Sequence, residues 1–127
     1  MEPGLTIKEV ARLSGLKEHT LRYYERIGLL DVVERAENGH RRYAAQDLAW
    51  IEFVNRLRVT GMPVRQMQAF ADLRRQGEQT ARQRRRLLEE HQATLEGQMA
   101  ELERNLAVIR DKIGYYRKLE ENTHAQP

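Results

Sequence analysis

The sequence contains no cysteine among its 127 residues. A disulfide, a thiolate metal site, an iron-sulfur cluster and a thiol redox switch are therefore excluded for these residues. No apolar run approaches the ~18 residues that a membrane span needs, and the first residues lack the apolar core of a signal peptide. We therefore expect a cytoplasmic protein that does not cross a membrane.

Groups for catalysis and metal binding are equally scarce. The four histidines lack metal-ligand spacing, so neither a metal site nor a cofactor is expected. No carboxylate pair or phosphate-binding glycine loop is evident, and Ser14 lies in a predicted turn. An enzyme is therefore not expected. The net charge is +3, and the basic surplus lies before residue 76, which is weak support for a nucleic-acid partner.

Two short helices are predicted at the start of the chain. The segment from Thr6 to Glu9 is a capping-box pattern, so a helix should begin at Ile7. Gly15 allows the chain to turn before a second helix that begins near Lys17. Two helices joined by a glycine-bearing turn predict a helix-turn-helix over residues 6–28.

The second helix has two unlike sides. At about 100° per residue, Leu21, Tyr24 and Glu25 share one side. The opposite side carries a stripe of hydrogen-bond donors and aromatic edges, namely His19, Arg22, Tyr23 and Arg26. Packing does not explain such an outward stripe, so we predict that it contacts DNA.

A hairpin is predicted over residues 31–43. The segment 29–33 has an extended pattern, Asn38-Gly39 is a strong type I′ turn signal, and residues 40–43 form the return strand. In isolation this would be a solvated hairpin. Beside a helix-turn-helix it predicts a wing that places Arg41, Arg42 and Tyr43 near the phosphate backbone.

Two further helices are predicted over residues 45–60 and 63–75, separated by Gly61. Trp50, Phe53 and Phe70 could line a ligand pocket, although aromatic residues at this spacing more often form a core. Gln76-Gly77 marks the expected domain boundary, which gives a DNA-binding domain over residues 1–77.

Residues 78–127 are predicted to form a long helix and a short tail. The apolar residues of this helix fall on a heptad, which predicts a dimeric coiled coil. Its seam consists of Leu88, Gln92, Leu95, Met99, Leu102, Leu106, Ile109, Ile113 and Tyr116. An antiparallel pairing sets Glu89 against Arg117 and Glu96 against Arg110 and leaves Glu103 facing its own copy, so the sequence favours that orientation.

The run Thr20-Leu21-Arg22-Tyr23-Tyr24-Glu25, the Asn38-Gly39 wing and the terminal coiled coil together resemble the MerR family of bacterial transcription regulators. The resemblance implies a mainly α homodimer with winged helix-turn-helix domains at the ends of an antiparallel coiled coil. It implies binding to pseudo-palindromic promoter DNA with a long spacer, and distortion of that DNA for RNA polymerase. The DNA contacts expected from residues and resemblance together are His19, Thr20, Arg22, Tyr23, Tyr24, Arg26, Arg41, Arg42, Tyr43 and Arg58.

The sequence departs from the family pattern at three positions. His40 and Ala44 replace a common tyrosine and a common Ser or Thr, and Ala44 costs the third helix a cap. Arg56 stands where some members of the similar aldehyde- and stress-responsive branch carry a cysteine. A thiol trigger is thus set aside, the effector stays unknown, and any effector is expected to bind within the dimer.

Two other readings remain open. An architectural or excisionase-like DNA-bending protein without effector response would bind any duplex with uniform affinity, whereas a regulator binds discrete promoter sites. A coiled-coil interaction module would keep its activity after Arg22→Ala. The basic run at residues 82–86 is read as a solvated helix start rather than a phosphate contact.

Overall fold

The computed structural model describes residues 4–31, 34–35 and 41–125. The chain divides into two compact units, Met1–Leu87 and Leu88–Pro127, so the division lies later than the Gln76-Gly77 boundary expected from the sequence. The elements in chain order are β1 (Leu5–Thr6), α1 (Ile7–Ser14), α2 (Glu18–Arg26), β2 (Glu34–Arg35), β3 (Arg41–Tyr43), α3 (Asp47–Val59), α4 (Val64–Gln76), a 3-10 turn (Glu78–Thr80) and α5 (Ala81–Ala125).

A three-stranded antiparallel sheet has the order β1-β3-β2. The β2–β3 pairing, which sets Arg35 opposite Arg41, confirms the hairpin expected from the sequence. The pairing of β1 with β3, with Leu5 opposite Tyr43, was not predicted. The expected turn at Asn38-Gly39, together with His40, lies outside the described residues, as do residues 32–33 of the expected first strand.

The first helix begins as the sequence predicts. The Glu9 amide donates to Oγ1 of Thr6 at 3.1 Å, and the Thr6 amide donates to Oε1 of Glu9 at 2.8 Å, which completes the capping box. Gly15 follows α1 with a φ of 77°, a left-handed conformation that glycine adopts without strain. Val10 is the buried residue of α1, whereas Leu13 is 51% exposed.

Helices α3 and α4 confirm the two central helices to within two residues at either end, and Gly61 separates them with a φ of 88°. The N-cap of α3 is Gln46, whose side chain makes no capping hydrogen bond, so the helix begins later than the cap position expected at Ala44. The buried residues that these helices contribute to the core are Ile51, Val54, Leu57, Met67, Phe70 and Ala71.

The three aromatic residues of α3 and α4 form one cluster. Trp50 and Phe70 stack with ring centroids 5.8 Å apart and planes at 12°, and Phe53 lies 5.8 Å from Phe70. The cavity beside Trp50 measures about 20 Å³, which is large enough for one water molecule but not for a drug-sized ligand. The core reading of these aromatics is therefore the one that the packing supports.

The first unit extends into the start of α5. Thr80 is buried and donates from Oγ1 to the carbonyl of Leu73 at 2.6 Å, and Arg84 donates to the carbonyl of Gly77 at 3.2 Å. These bonds attach the 3-10 turn to α4 and the first turn of α5 to Gly77, the residue that follows α4. The unit therefore ends beyond the glycine that the sequence suggested as a boundary.

The second unit is the remainder of α5. This helix runs without interruption to Ala125, which agrees with the absence of proline from Thr80 to Glu121. Its seam is exposed along much of its length: Met99 and Leu102 are each 69% exposed and Ile109 is 55% exposed. No helix in the described part of the chain is long and apolar enough to span a membrane.

Candidate nucleic-acid interface

Helix α2 presents one buried and one exposed side. Leu21 and Tyr24 are both 0% exposed and fix the helix on the core. The four residues predicted to form the outward stripe are all exposed, which confirms the helical-wheel prediction: His19, Arg22, Tyr23 and Arg26. Thr20 is half-buried at the edge of the stripe. We call α2 the recognition helix and these four side chains the exposed stripe.

Two contacts within α2 organise the exposed stripe. Arg22 Nη2 lies 3.3 Å from Oε1 of Glu18 one turn earlier, and the Arg26 guanidinium lies 5.6 Å from the centroid of the Tyr23 ring. The exposed ion pair contributes little to stability. Arg22 can therefore exchange Glu18 for a phosphate or a guanine edge at small cost, since both accept the same guanidinium donors.

Two tyrosines that were expected to contact DNA are buried. Tyr24 is 0% exposed and donates from its hydroxyl to Oδ1 of Asn55 at 3.3 Å. Tyr43 is 1% exposed and donates to Oε2 of Glu25 at 3.2 Å. This burial argues against the direct DNA contacts expected of the two side chains, since Tyr24 belongs to the buried side of α2 and Tyr43 to the middle strand of the sheet.

The other predicted contacts surround the recognition helix. Arg58 is exposed at the end of α3, and its guanidinium lies 5.9 Å from the centroid of the Tyr24 ring, so it stands next to α2. Arg41 and Arg42 lie in β3, and the structure describes only their backbone. The first unit thus brings α2, the end of α3 and the wing strands together.

The recognition helix ends in a Schellman motif at Gly28, which has a φ of 84°. The amide of Leu29 donates to the carbonyl of Tyr24 at 2.8 Å, and the amide of Gly28 donates to the carbonyl of Glu25 at 3.1 Å. Leu29 and Leu30 are buried in a bend, so the extended segment expected at residues 29–33 does not begin there. We call residues 27–29 the exit turn of the recognition helix.

The three carbonyls of the exit turn all accept hydrogen bonds from side chains of α3 and α4. Gln68 Nε2 donates to Ile27 at 2.8 Å, and Trp50 Nε1 donates to Leu29 at 2.9 Å. Arg75 donates from Nη2 to the carbonyl of Gly28 between them. Sequence reasoning missed these contacts, because nothing local relates a glutamine or an arginine to a carbonyl more than 40 positions earlier.

Arg75 also contacts the segment that leads to the wing. Its Nε lies 3.1 Å from Oδ2 of Asp31, and its Nη1 lies 2.9 Å from Oδ1 of Asp72 on its own helix. One guanidinium thus joins α4, the exit turn and the first residue of the predicted wing. No cluster of His, Asp and Glu side chains suited to a metal ion occurs among the residues that the structure describes.

A helix-turn-helix followed by a basic β-hairpin defines a winged helix-turn-helix protein, a class whose second helix enters the major groove. Two protein-family models match the sequence. The family described as "MerR HTH family regulatory protein" matches residues 5–73, and the family described as "MerR, DNA binding" matches residues 48–112. The chain belongs to the MerR family and is a DNA-binding transcription regulator.

Curated relatives and solved structures agree with this assignment. The chain is 34% identical over 113 residues to an uncharacterized HTH-type transcriptional regulator of Haemophilus influenzae. This alignment covers 89% of this chain and 84% of that relative. It is 35% identical over 91 residues to the regulator AdhR of Bacillus subtilis, covering 72% of this chain and 65% of AdhR.

Two crystal structures are similar to this chain over most of its length. HiNmlR, a MerR family regulator lacking the sensor domain and bound to promoter DNA, has a TM-score of 0.77 at 34% identity and covers 91% of this chain and 92% of its own. A putative MerR family regulator from Listeria monocytogenes has a TM-score of 0.82 at 35% identity, with coverage of 89% and 86%.

Proposed function

We propose that this regulator binds a pseudo-palindromic promoter as a homodimer, with one recognition helix in each of two major grooves. The exposed stripe of α2 carries this proposal, because it combines donors for phosphates and base edges with a buried side that fixes the helix on the core. The similarity to HiNmlR, which was crystallised with promoter DNA, supports the same partner.

The proposed contacts follow exposure and chemistry. Arg22 and Tyr23 lie at the centre of the exposed stripe and would contact bases and phosphates, while Arg58 would bind phosphate beside the helix. His19, Thr20 and Arg26 extend the contact along α2, and Arg41 and Arg42 would bind the backbone from the wing. Tyr24 and Tyr43 are not among the proposed direct contacts, because both side chains are buried.

The second unit supplies the proposed dimer interface. Exposed apolar side chains on one stripe of a helix stabilise the protein only when another surface covers them. The heptad order of Met99, Leu102, Ile109 and Ile113 fits a second copy of the same helix. The charged residues that flank this seam favour the antiparallel orientation, because it sets Glu89 against Arg117 and Glu96 against Arg110. Two domains at the ends of such a coiled coil would reach separate half-sites.

The promoter context completes the proposal. We infer that the dimer distorts a promoter with a long spacer and so makes it usable by RNA polymerase, its partner at that site. This activity places the protein on the bacterial nucleoid in the cytoplasm. A small-molecule effector, if the dimer takes one, does not act through a thiolate of these residues, because they contain no cysteine.

The test compares one variant on two DNA sequences. A duplex recovered by in vitro selection from a random library serves as the operator, and a scrambled duplex of the same composition serves as the reference. Arg22→Ala should lower operator affinity by about 10- to 100-fold, the loss of one bidentate base contact. Equal affinity of the unchanged protein for both duplexes would instead support the architectural alternative.

Arg12→Ala is the matched control for this experiment. Arg12 is an exposed arginine on α1, outside the exposed stripe and the wing. Both variants lose one positive charge, so the difference between them isolates the position of Arg22 from the general effect of charge on DNA affinity. Equal losses for the two variants would contradict the assigned role of Arg22.

A further inference from the structure

The exit turn of the recognition helix leaves its carbonyls without partners in the helix itself. The Schellman motif satisfies the amides of Gly28 and Leu29, but the carbonyls of residues 27–29 point away from the helical ladder. Side chains of α3 and α4 occupy all three: Gln68 at Ile27, Arg75 at Gly28 and Trp50 at Leu29.

These three bonds have an unusual distribution along the chain. Each one joins the same short turn to a helix that is distant in sequence, and two of the three come from α4. Gln68 and Arg75 are two turns apart on α4, so together they fix both the position and the direction of the turn relative to that helix. A single bond would leave the turn free to pivot.

Arg75 extends the connection to the wing. The same guanidinium that binds the carbonyl of Gly28 lies 3.1 Å from the carboxylate of Asp31, and its Nη1 lies 2.9 Å from Asp72. Its planar donors hold these groups at fixed angles, which a lysine ammonium does not reproduce. Arg75 thus contacts both the exit turn and Asp31, the residue at which the predicted wing begins.

We propose that Gln68 and Arg75 are positioning residues for DNA recognition: they hold the exit turn and the wing entry so that both reach one operator half-site in register. Neither side chain needs to contact DNA for this role. The inference rests on the proposed sequence-specific function. It extends that function to α4, a helix to which no DNA contact was assigned from the sequence.

A role in positioning is distinct from a role in stability. Arg75 is 33% exposed, so water replaces much of its hydrogen bonding when the side chain is removed, and the fold should survive. Misalignment of helix and wing would still weaken binding to the operator, whose contacts require one geometry. Binding to non-specific DNA depends mainly on charge and would change little.

The experiment measures the ratio of operator affinity to scrambled-duplex affinity at one salt concentration. Gln68→Ala should lower this ratio by up to about tenfold, whereas Gln66→Ala, an exposed glutamine two residues earlier, should leave it unchanged. Arg75→Gln should lower the ratio similarly, whereas Arg65→Gln, which removes the same charge from the same helix, should not. Arg75→Lys keeps the charge and should behave like Arg75→Gln.

A spectroscopic measurement accompanies the affinities. Trp50 is the sole tryptophan of the chain and donates to the exit turn, so its emission reports on this region directly. The emission should shift in the Gln68 and Arg75 variants and stay unchanged in the Gln66 and Arg65 variants. Thermal unfolding of every variant shows that the comparison is made on folded protein.

The possible outcomes separate the two proposals. If the unchanged protein prefers the operator but Gln68→Ala and Arg75→Gln both keep its affinity ratio, the positioning role is overturned while the proposed function stands. Recovery of the full ratio by Arg75→Lys would overturn the role of the guanidinium geometry. If the unchanged protein does not distinguish the two duplexes, the proposed function fails, and the positioning role fails with it.

Discussion

The hydroxyl of Tyr43 donates a 3.2 Å hydrogen bond to Oε2 of Glu25 and so connects the middle strand of the sheet to the recognition helix. Tyr43 is 1% exposed, so this bond lies at the edge of the core rather than at the surface where a wing contact would be. Its removal tests whether the residue is structural.

Tyr43→Phe should lower the free energy of unfolding by about 1 kcal/mol, because the ring stays in place and one part-buried hydrogen bond is lost. Denaturant unfolding measures this change. Tyr115→Phe is the matched control, since Tyr115 lies on α5 with 56% exposure and should tolerate loss of its hydroxyl. An unchanged stability of Tyr43→Phe would mean that the bond to Glu25 contributes nothing.

The adjacent residues Tyr23 and Tyr24 should give opposite results when each is replaced by alanine. Tyr24→Ala removes a fully buried ring and should cost about 3–5 kcal/mol of stability. Tyr23→Ala removes a ring that is 37% exposed and should cost less than about 1 kcal/mol, while operator affinity falls. Unfolding and DNA-binding measurements on the same two variants check both halves of the prediction. A stable Tyr24→Ala protein would contradict the burial of that ring.

The capping box of α1 should also be measurable. Thr6→Ala removes the acceptor for the Glu9 amide and should destabilise the protein by about 1 kcal/mol. Lys8→Ala changes an exposed residue in the same turn and serves as the reference. Equal unfolding midpoints for the two variants would show that the cap is without energetic effect.

Local patterns accounted for most elements of the first unit. The capping box, the outward stripe of α2 and the separation of α3 from α4 at Gly61 depend on residues that are close in sequence, and the structure confirms each of them. The helical wheel also placed Tyr24 on the inner side of α2. The resemblance to a family added a DNA contact for that residue, which its burial does not favour.

Long-range contacts explain what the sequence did not predict. Strand β1 has only two residues, too few to show an alternating pattern, and its pairing with β3 sets Leu5 opposite Tyr43. The bonds from Gln68 and Arg75 to the exit turn span 41 and 47 positions. Such contacts depend on how α4 packs, which no local pattern encodes.

The seam of α5 should determine oligomeric state. Leu102→Asp places a charge within the proposed interface and should dissociate the dimer, since an unpaired charge is costly to bury. Val108→Asp is the matched control: Val108 is 65% exposed and Leu102 is 69% exposed, but Val108 lies off the seam. Sedimentation measures the oligomeric state of each variant. Operator binding should weaken in Leu102→Asp about as severely as in Arg22→Ala, and equal dissociation of both variants would contradict the heptad assignment.

The orientation of the proposed dimer can be tested by crosslinking, because the chain has no cysteine to interfere. An antiparallel pairing centred near Glu103 sets Glu96 of one copy against Arg110 of the other. A chain carrying both Glu96→Cys and Arg110→Cys should therefore form covalent dimers with a short thiol crosslinker. In a single copy Arg110 Nη1 lies 3.7 Å from Oε1 of Glu103, an exposed pair that is too weak to oppose this arrangement.

Glu96→Cys alone provides the control for orientation. In the antiparallel dimer its two copies are separated by the distance from position 96 to position 110, about 21 Å at 1.5 Å per residue, which a short crosslinker does not span. In a parallel dimer the same two cysteines lie at one level of the coiled coil. Efficient crosslinking of the single variant would therefore establish the parallel orientation, and the two recognition helices would then lie at the same end of the dimer.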